Sequence, residues 1–208
     1  MHFARRRGEP VPPAVIKAMS AHWAQELVDH GRTRLTNLEV YRTWEDYKIR
    51  DPDDGIGMYM SKGRAFELDD SNAIFVWCAS LPDTDPRILL GLGEDYDSIV
   101  RICDPCGFVQ RIVDASRKAG VTLLPIMGAV EYIRGIEATH EEVRKRDVDW
   151  NLFQKGERFS PEREYRLAFT HISDGDKSEE ELAAERHRQH IKLSLPVAPS
   201  IVEFASRP

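Results

Sequence analysis

Two glutamates and an arginine occupy every second position late in the chain, at Glu162, Glu164 and Arg166. Apolar and polar residues then alternate as far as His171, which is typical of a strand. Residues i, i+2 and i+4 of a strand share one face, so the three charged side chains are predicted to stand in one row, with the carboxylates about 7 Å apart. Neighbouring carboxylates can raise one another's pKa, whereas a cation keeps a carboxylate ionised. The row is therefore a candidate site for acid–base or electrostatic catalysis.

An ordinary structural explanation competes with this one. Charges that alternate on a solvated strand face are common, and Arg166 could bridge its neighbours for little energy. On spacing alone this explanation is the stronger of the two. Upstream, Lys155 adds a second cation, and Phe153 and Phe159 add apolar anchors.

Length and composition predict a single domain over residues 1–208. Hydrophobic residues make up 41% of the chain and charged residues 31%, which allows both a core and a charged surface. No apolar run approaches the ~20 residues that a membrane-spanning helix needs, and no apolar segment follows the basic N-terminus. We therefore expect no membrane partner and a cytoplasmic location. The net charge of −6 argues against non-specific DNA binding, which depends on neutralising phosphates.

The three cysteines are an odd number, which argues against a disulfide framework. Cys103 and Cys106 form a C-x-x-C pair, but the chain has no second such pair to complete a zinc site. Between them, Asp104 is a good N-cap and Pro105 a good first helical residue. The motif is better explained as the start of a helix than as a metal or redox site, and no metal is predicted.

Apolar periodicity predicts the elements that would position these residues. One helix is predicted over residues 14–30, ending at Gly31, because one face carries Ile16, Met19, Trp23 and Leu27. We expect Met19 and Trp23 to be core residues. The continuous apolar run over residues 72–80 is the strongest signal of a buried strand.

Further elements follow towards the C-terminus. The sequence predicts a strand over 98–103, a helix over 105–119 stopped by Gly120, apolar strand-like runs over 121–127 and 128–135 interrupted by Pro125 and Gly128, a helix opened by a capping box at Ser178 and Glu181, and strands over 191–195 and 200–204. An early helix followed by mostly strands predicts an α+β domain with a largely antiparallel central sheet and flanking helices.

The charged row and its upstream segment resemble the hallmark of a widespread bacterial family of uncharacterised domains. In that family a lysine and an aromatic residue precede a Glu-x-Glu-aromatic-Arg strand. The matching residues here are Lys155, Phe159, Glu162, Glu164, Tyr165 and Arg166. The likeness extends thinly over residues 31–36, 45–52, 74–80 and 128–132, and the family has no established activity.

A second resemblance is to the ADP-ribosyltransferase fold, whose members cleave NAD. It rests on the Glu-x-Glu pair, an early strand that carries histidine or arginine, and a middle strand that ends in Ser80. The resemblance implies a split sheet and NAD as a consumed substrate. Glu164 would bind the nicotinamide ribose and stabilise positive charge as the glycosidic bond breaks, and Glu162 would activate or orient the acceptor.

The same resemblance implies roles in nucleotide binding. Ser80 would support the site from the neighbouring strand, and Arg5 or Arg42 would hold the pyrophosphate. The residues expected around the nucleotide are Arg5, Tyr41, Arg42, Trp44, Ser80, Lys155 and Arg166. Two departures stand out: the middle strand ends Cys-Ala-Ser in place of Ser-Thr-Ser, and Arg166 is close enough in sequence to neutralise the carboxylates.

The sequence leaves three functions open. The first is an NAD-consuming transferase or glycohydrolase, acting as a toxin or phage-defence effector on an unknown macromolecular acceptor. The second is a non-catalytic binding or regulatory module in which the charged row is a satisfied structural network. The third, ranked last, is a metal-dependent nuclease with acidic ligands and Lys155 near the scissile phosphate.

Overall fold

The computed structural model describes residues 4–5, 10–43, 57–61, 64–68, 74–133, 152–172, 180, 184, 188–196 and 201–206. The strands are β1 (Ala4–Arg5), β2 (Val15–Met19), β3 (Arg32–Asn37), β4 (Gly57–Ser61), β5 (Arg64–Leu68), β6 (Ile74–Ser80), β7 (Ser98–Ile102), β8 (Thr122–Ala129), β9 (Glu131–Ile133), β10 (Gln154–Gly156), β11 (Glu164–Ile172), β12 (His190–Ser194) and β13 (Val202–Ser206). The helices are α1 (Ala21–His30), α2 (Leu38–Thr43), α3 (Pro86–Leu90), α4 (Pro105–Lys118) and a 3-10 helix, Glu157–Glu162.

Nine of the described strands form one sheet, and its longest path runs β1-β8-β11-β6-β2-β7-β13. All neighbouring pairs in this sheet are antiparallel except β1 and β8. The predicted α+β class with a mostly antiparallel sheet is therefore confirmed. Strands β9 and β10 pair separately in parallel, and β4 and β5 form an antiparallel pair.

The sheet forks along one edge of β6. Strand β2 pairs with the end of β6, where Ile16 lies opposite Ser80, and β3 pairs with its beginning, where Thr36 lies opposite Val76. Strand β12 then continues the β3 branch. Residues 77–79 of β6 have no strand neighbour on this edge within the described part of the chain, so the two branches leave a gap between them.

The helix predicted over residues 14–30 is wrong in its first half. Strand β2 occupies Val15–Met19, and the helix begins only at Ala21. Most of β2 is buried between its neighbours, and a strand buried on both faces shows no alternation of apolar and polar residues. Trp23 is 41% exposed, so the expectation that it is a core residue is also wrong.

The helix after the C-x-x-C motif is confirmed. The Asp104 side chain accepts a hydrogen bond from the Gly107 N–H at 2.9 Å, and Pro105 opens α4. Gly120 follows the helix with φ 74°. Cys103 and Cys106 are free, half-buried thiols.

The predicted interruptions at Pro125 and Gly128 are absent, because β8 runs unbroken through both residues. Pro125 is paired with Phe169 of β11, but it precedes the two residues of β8 that pair with β1. Because Pro125 lies outside the β1–β8 pairing, its missing N–H removes no hydrogen bond between these two strands. The helix predicted from Ser178 lies outside the described residues except at positions 180 and 184, which are helical.

The main core lies between one face of the sheet and the helices α1 and α4. Phe108 of α4 packs against Trp77 of β6, with ring centroids 4.9 Å apart, and Leu27 of α1 belongs to the same cluster. None of the helices in the described ranges is long and apolar enough to cross a membrane.

Candidate active site

Glu164 lies at the centre of a buried charge network. It begins β11 directly opposite Ser80, the last residue of β6. Its Oε1 accepts a hydrogen bond from Arg166 Nε at 2.7 Å, and its Oε2 lies 3.2 Å from Lys155 Nζ. The Glu164 backbone N–H donates to Tyr132 Oη at 2.6 Å. Each carboxylate oxygen of Glu164 therefore has its own cation.

Glu162 is close to Glu164 for a different reason from the one predicted. It ends the 3-10 helix, and Arg163, with φ 44°, turns the chain into β11. The predicted single row on one strand is therefore wrong for Glu162. Lys155 joins the two carboxylates instead, because its Nζ lies 2.8 Å from Glu162 Oε2.

Arg166 is the most deeply buried member of the network, with no exposed surface. Its Nη1 donates to the Leu152 carbonyl at 2.7 Å, in addition to the bond from Nε to Glu164. Lys155 is buried too, and its Nζ lies 4.4 Å from the centre of the Phe159 ring. The explanation of the charged row as a solvated strand face is therefore wrong. Burying charges costs several kcal/mol per ion, so the network holds together only because its members are paired.

The network keeps Glu164 ionised. Burial alone would raise the pKa of Glu164, but the charges of Arg166 and Lys155 outweigh burial and hold that pKa well below its usual value. Burial raises the pKa of the neighbouring Cys78 to about 12, so this residue is a neutral thiol and a poor nucleophile.

The lowered pKa of Glu164 predicts a loss of stability in acid. A carboxyl group whose pKa is lower in the folded state stabilises the protein above its unfolded-state pKa, about 4.3 for glutamate, and loses this contribution as the pH falls towards the folded-state value. We expect urea denaturation between pH 7 and pH 3 to show a steeper decline in unfolding free energy for wild type than for Glu164→Gln. If the unfolding free energies of the two proteins declined in parallel, the lowered pKa assigned to Glu164 would be contradicted.

A cleft opens in the fork of the sheet and reaches the charge network. Its inner compartment, about 70 Å³, is lined by residues that include Ser80, Lys155, Glu162 and Glu164. Its outer compartment, about 260 Å³, is lined by residues that include Trp23, Arg34 and Trp77. Both compartments are lined by Lys17, Ala18, Tyr41 and Tyr96, so they adjoin one another.

Lys17 occupies the gap between the two branches of the sheet. Its Nζ donates to the Cys78 carbonyl of β6 at 2.5 Å and lies 5.0 Å from the centre of the Trp77 ring. Burial lowers the pKa of Lys17. An ammonium group has three donors, so Lys17 can bond an anion in the cleft while it keeps its bond to β6.

The structure brings together only some of the residues predicted around a nucleotide. Ser80, Tyr41 and Lys155 line the cleft, whereas Arg166 lies behind Glu164. Arg5 and Arg42 are described only by their backbone, in β1 and α2, and Trp44 lies outside the described residues.

Sequence reasoning missed several residues of the cleft. Lys17 was missed because its segment looked helical, and the pairing of β2 with β6 is what brings it to the fork. Arg34 stands in an alternating run, which was a usable signal of an exposed strand position. Tyr96 belongs to the loop before β7 and carried no signal of its own.

Comparison with known proteins gives no match to this chain among protein-family models, curated proteins or solved structures. Its function is therefore inferred from the cleft itself. Among the described residues, no three His, Cys, Asp or Glu side chains are grouped as a metal site requires. Within this part of the chain the cleft offers an ionised carboxylate, several cations and aromatic rings.

Proposed function

We propose that the cleft binds NAD or a closely related nucleotide, and that the protein is an NAD-consuming enzyme of the ADP-ribosyltransferase type. One observation carries the proposal: the ionised Glu164 lies at the inner end of a cleft whose outer walls carry cations and aromatic rings. Phosphates pair with cations, and the flat rings of a nucleotide stack on aromatic side chains. The resemblance of the charged segment to that fold points the same way.

Binding of the nucleotide follows from the order of groups along the cleft. Lys17, at the junction of the two compartments, is placed to bond the pyrophosphate. Tyr96, a half-buried residue of the outer compartment, offers an aromatic ring to one base. The ribose of the nicotinamide riboside then points into the inner compartment, towards Glu164 and Ser80.

Cleavage would begin at the bond between nicotinamide and ribose. Nicotinamide leaves with the bonding electron pair, and the ribose carbon becomes an oxocarbenium ion. The carboxylate of Glu164 stabilises that cation, because a fixed negative charge is most effective where positive charge develops. Water or an acceptor hydroxyl then bonds to the ribose carbon and gives its proton to Glu162.

A second candidate is a nucleotide-binding module without catalysis. It is favoured by the two cations on Glu164, which compensate the charge that would stabilise an oxocarbenium ion. In that case the network positions the inner wall of the cleft, and NAD or a related nucleotide acts as a signal.

Nicotinamide release and NAD binding, measured together, separate the two candidates. For the enzyme we expect Glu164→Gln to lower the rate of nicotinamide release by about 10²-fold or more, since the oxocarbenium ion loses its counter-charge. Calorimetric titration should show that NAD still binds to this variant, and thermal unfolding should show that it is folded. Glu203→Gln is the matched control, because Glu203 is an exposed glutamate on the distant strand β13.

Each outcome has a distinct meaning. Equal nicotinamide release from wild type and Glu164→Gln would remove the catalytic role of Glu164. NAD binding without release, weakened by Lys17→Gln, would favour the binding module. Failure of wild type to bind NAD would reject the NAD-consuming enzyme, and failure to bind NAD or any related nucleotide would reject the binding module as well.

A further inference from the structure

We propose that a groove beside the cleft binds single-stranded nucleic acid. The groove encloses about 340 Å³ between α1 and the β3–β12 pair, and its lining includes His22, Trp23, Arg32, Arg34, Lys192 and Ser194. Four of its lining residues, Trp23, Arg32, Thr33 and Arg34, also line the outer compartment of the cleft. The groove is therefore continuous with the cleft.

Two like charges lie side by side on the strand wall of this groove. In the antiparallel pair β3–β12, Arg34 lies directly opposite Lys192, and both residues are exposed. Side chains at such positions share a face and have Cβ atoms about 5 Å apart, and like charges there destabilise the pair. Neither residue forms an ion pair with a carboxylate among the described residues, whereas Arg32 pairs with Glu26 at 2.6 Å. A phosphate between Arg34 and Lys192 would remove the repulsion.

An exposed aromatic ring stands beside these cations. Trp23 is 41% exposed, and the Arg34 guanidinium carbon lies 5.9 Å from the centre of its ring. The His22 ring is also adjacent, with its centroid 5.2 Å from that of Trp23. Proteins that bind single strands combine cations along the backbone with aromatic side chains on which bases stack. This combination favours a nucleic acid over an anion without bases.

The geometry favours a single strand over a duplex. Bases can stack on Trp23 only if they are not already stacked and paired inside a helix. The chain as a whole carries a net charge of −6, so attraction to phosphate is confined to local patches such as this one. Binding here does not depend on NAD cleavage. If the proposed function holds, a strand in this groove would bring a nucleotide to the mouth of the cleft as the acceptor.

Fluorescence anisotropy with labelled ten-nucleotide strands, without NAD, tests the inference. We expect single-stranded RNA or DNA to bind more tightly than the matching duplex, and whichever single strand binds more tightly identifies the sugar. Lys192→Gln should reduce the slope of log K against log salt concentration by about 0.7, the value for one lost phosphate contact on a single strand. Trp23→Ala should weaken binding by about 5- to 150-fold, the loss of one stacked base.

Matched variants distinguish binding in the groove from non-specific electrostatic attraction elsewhere on the surface. Lys118→Gln removes the same charge from an exposed position at the end of α4 and should leave binding unchanged. Lys192→Glu should abolish binding and yet keep or raise the melting temperature, because it places opposite charges across the strands at Arg34. Lys192 lines the groove and not the cleft, so both Lys192 variants should bind NAD as wild type does.

The inference is overturned if wild type binds no single strand. It is also overturned if heparin binds as tightly as the oligonucleotides and Trp23→Ala changes nothing, since the groove would then be a general polyanion surface. Oligonucleotide binding by a protein that releases no nicotinamide would support the groove and reject only the enzymatic proposal.

Discussion

Replacing Arg166 with methionine is expected to lower the free energy of unfolding by about 3–5 kcal/mol. Arg166 is fully buried and serves both Glu164 and the Leu152 carbonyl. Its removal leaves the Glu164 carboxylate buried with Lys155 as its remaining cation, and it deprives a buried carbonyl of its donor. Urea denaturation monitored by tryptophan fluorescence measures the loss.

Arg163→Met is the matched control for this substitution. Arg163 lies three positions earlier, is half-exposed and pairs with Asp83 at 2.6 Å. Solvent screens an exposed pair of this kind, so the control should lose little stability. The double variant Glu164→Gln/Arg166→Met should recover part of the loss, because it also removes the buried negative charge. Equal losses of unfolding free energy in the Arg163 and Arg166 variants would show that the buried network stabilises the fold no more than an exposed ion pair does.

Replacing Gly31 with alanine is expected to cost about 2–4 kcal/mol, from left-handed strain and overpacking together. Gly31 ends α1 with φ 65°, and a Cβ atom there would collide with the Leu195 carbonyl oxygen. The neighbouring backbone bond, from the Leu195 N–H to the Gly31 carbonyl at 2.8 Å, ties the end of β12 to the start of β3. Relieving the collision would therefore disturb the strand pair that carries Arg34 and Lys192.

Gly120→Ala supplies the control for backbone strain alone. Gly120 also has a positive φ, 74°, but no atom lies within 4 Å of an added Cβ. Its loss should therefore be about 1–2 kcal/mol, the strain term without the collision. Thermal or urea unfolding of both variants measures the difference. Equal losses would mean that the backbone near Leu195 adjusts without cost.

The buried network links stability to the proposed chemistry. The interactions that hold Lys155, Glu162 and Glu164 together also form the inner wall of the cleft. A substitution there changes folding and function at once, so activity must be compared with the folded fraction of each variant. Lys17 lies outside this network, which makes it the cleaner probe of ligand binding.

Elements with local signals were predicted well. Asp104, Pro105 and Gly120 mark the two ends of α4 through capping and backbone preferences that act within a few residues. The apolar run that became β6 was also correct. Strand β2 was missed because it is buried between two other strands and therefore shows no alternation of apolar and polar residues. Over five residues, such a pattern resembles the apolar stripe of an amphipathic helix.

The candidate site shows the same division. Its carboxylates, Lys155 and Arg166 were identified from residue type and spacing, but their contacts were not. A glutamate and an arginine two positions apart give the same sequence pattern on a solvent-exposed strand face and in a buried charge network. Whether they are exposed or buried depends on the strands on either side of β11. The 3-10 turn at Glu162 further changed the expected row into a pair joined by Lys155.

The amino-acid sequence alone was enough to predict the α+β class, the capped helix α4 and the group of charged residues late in the chain, because these features depend on residues that are close in sequence. The fork in the sheet, the cleft inside it and the opposition of Arg34 to Lys192 depend on segments far apart in the chain. Lys17 meets the Cys78 carbonyl across 61 positions. Such contacts arise from strand pairing and burial, which become defined only when the whole sheet has formed.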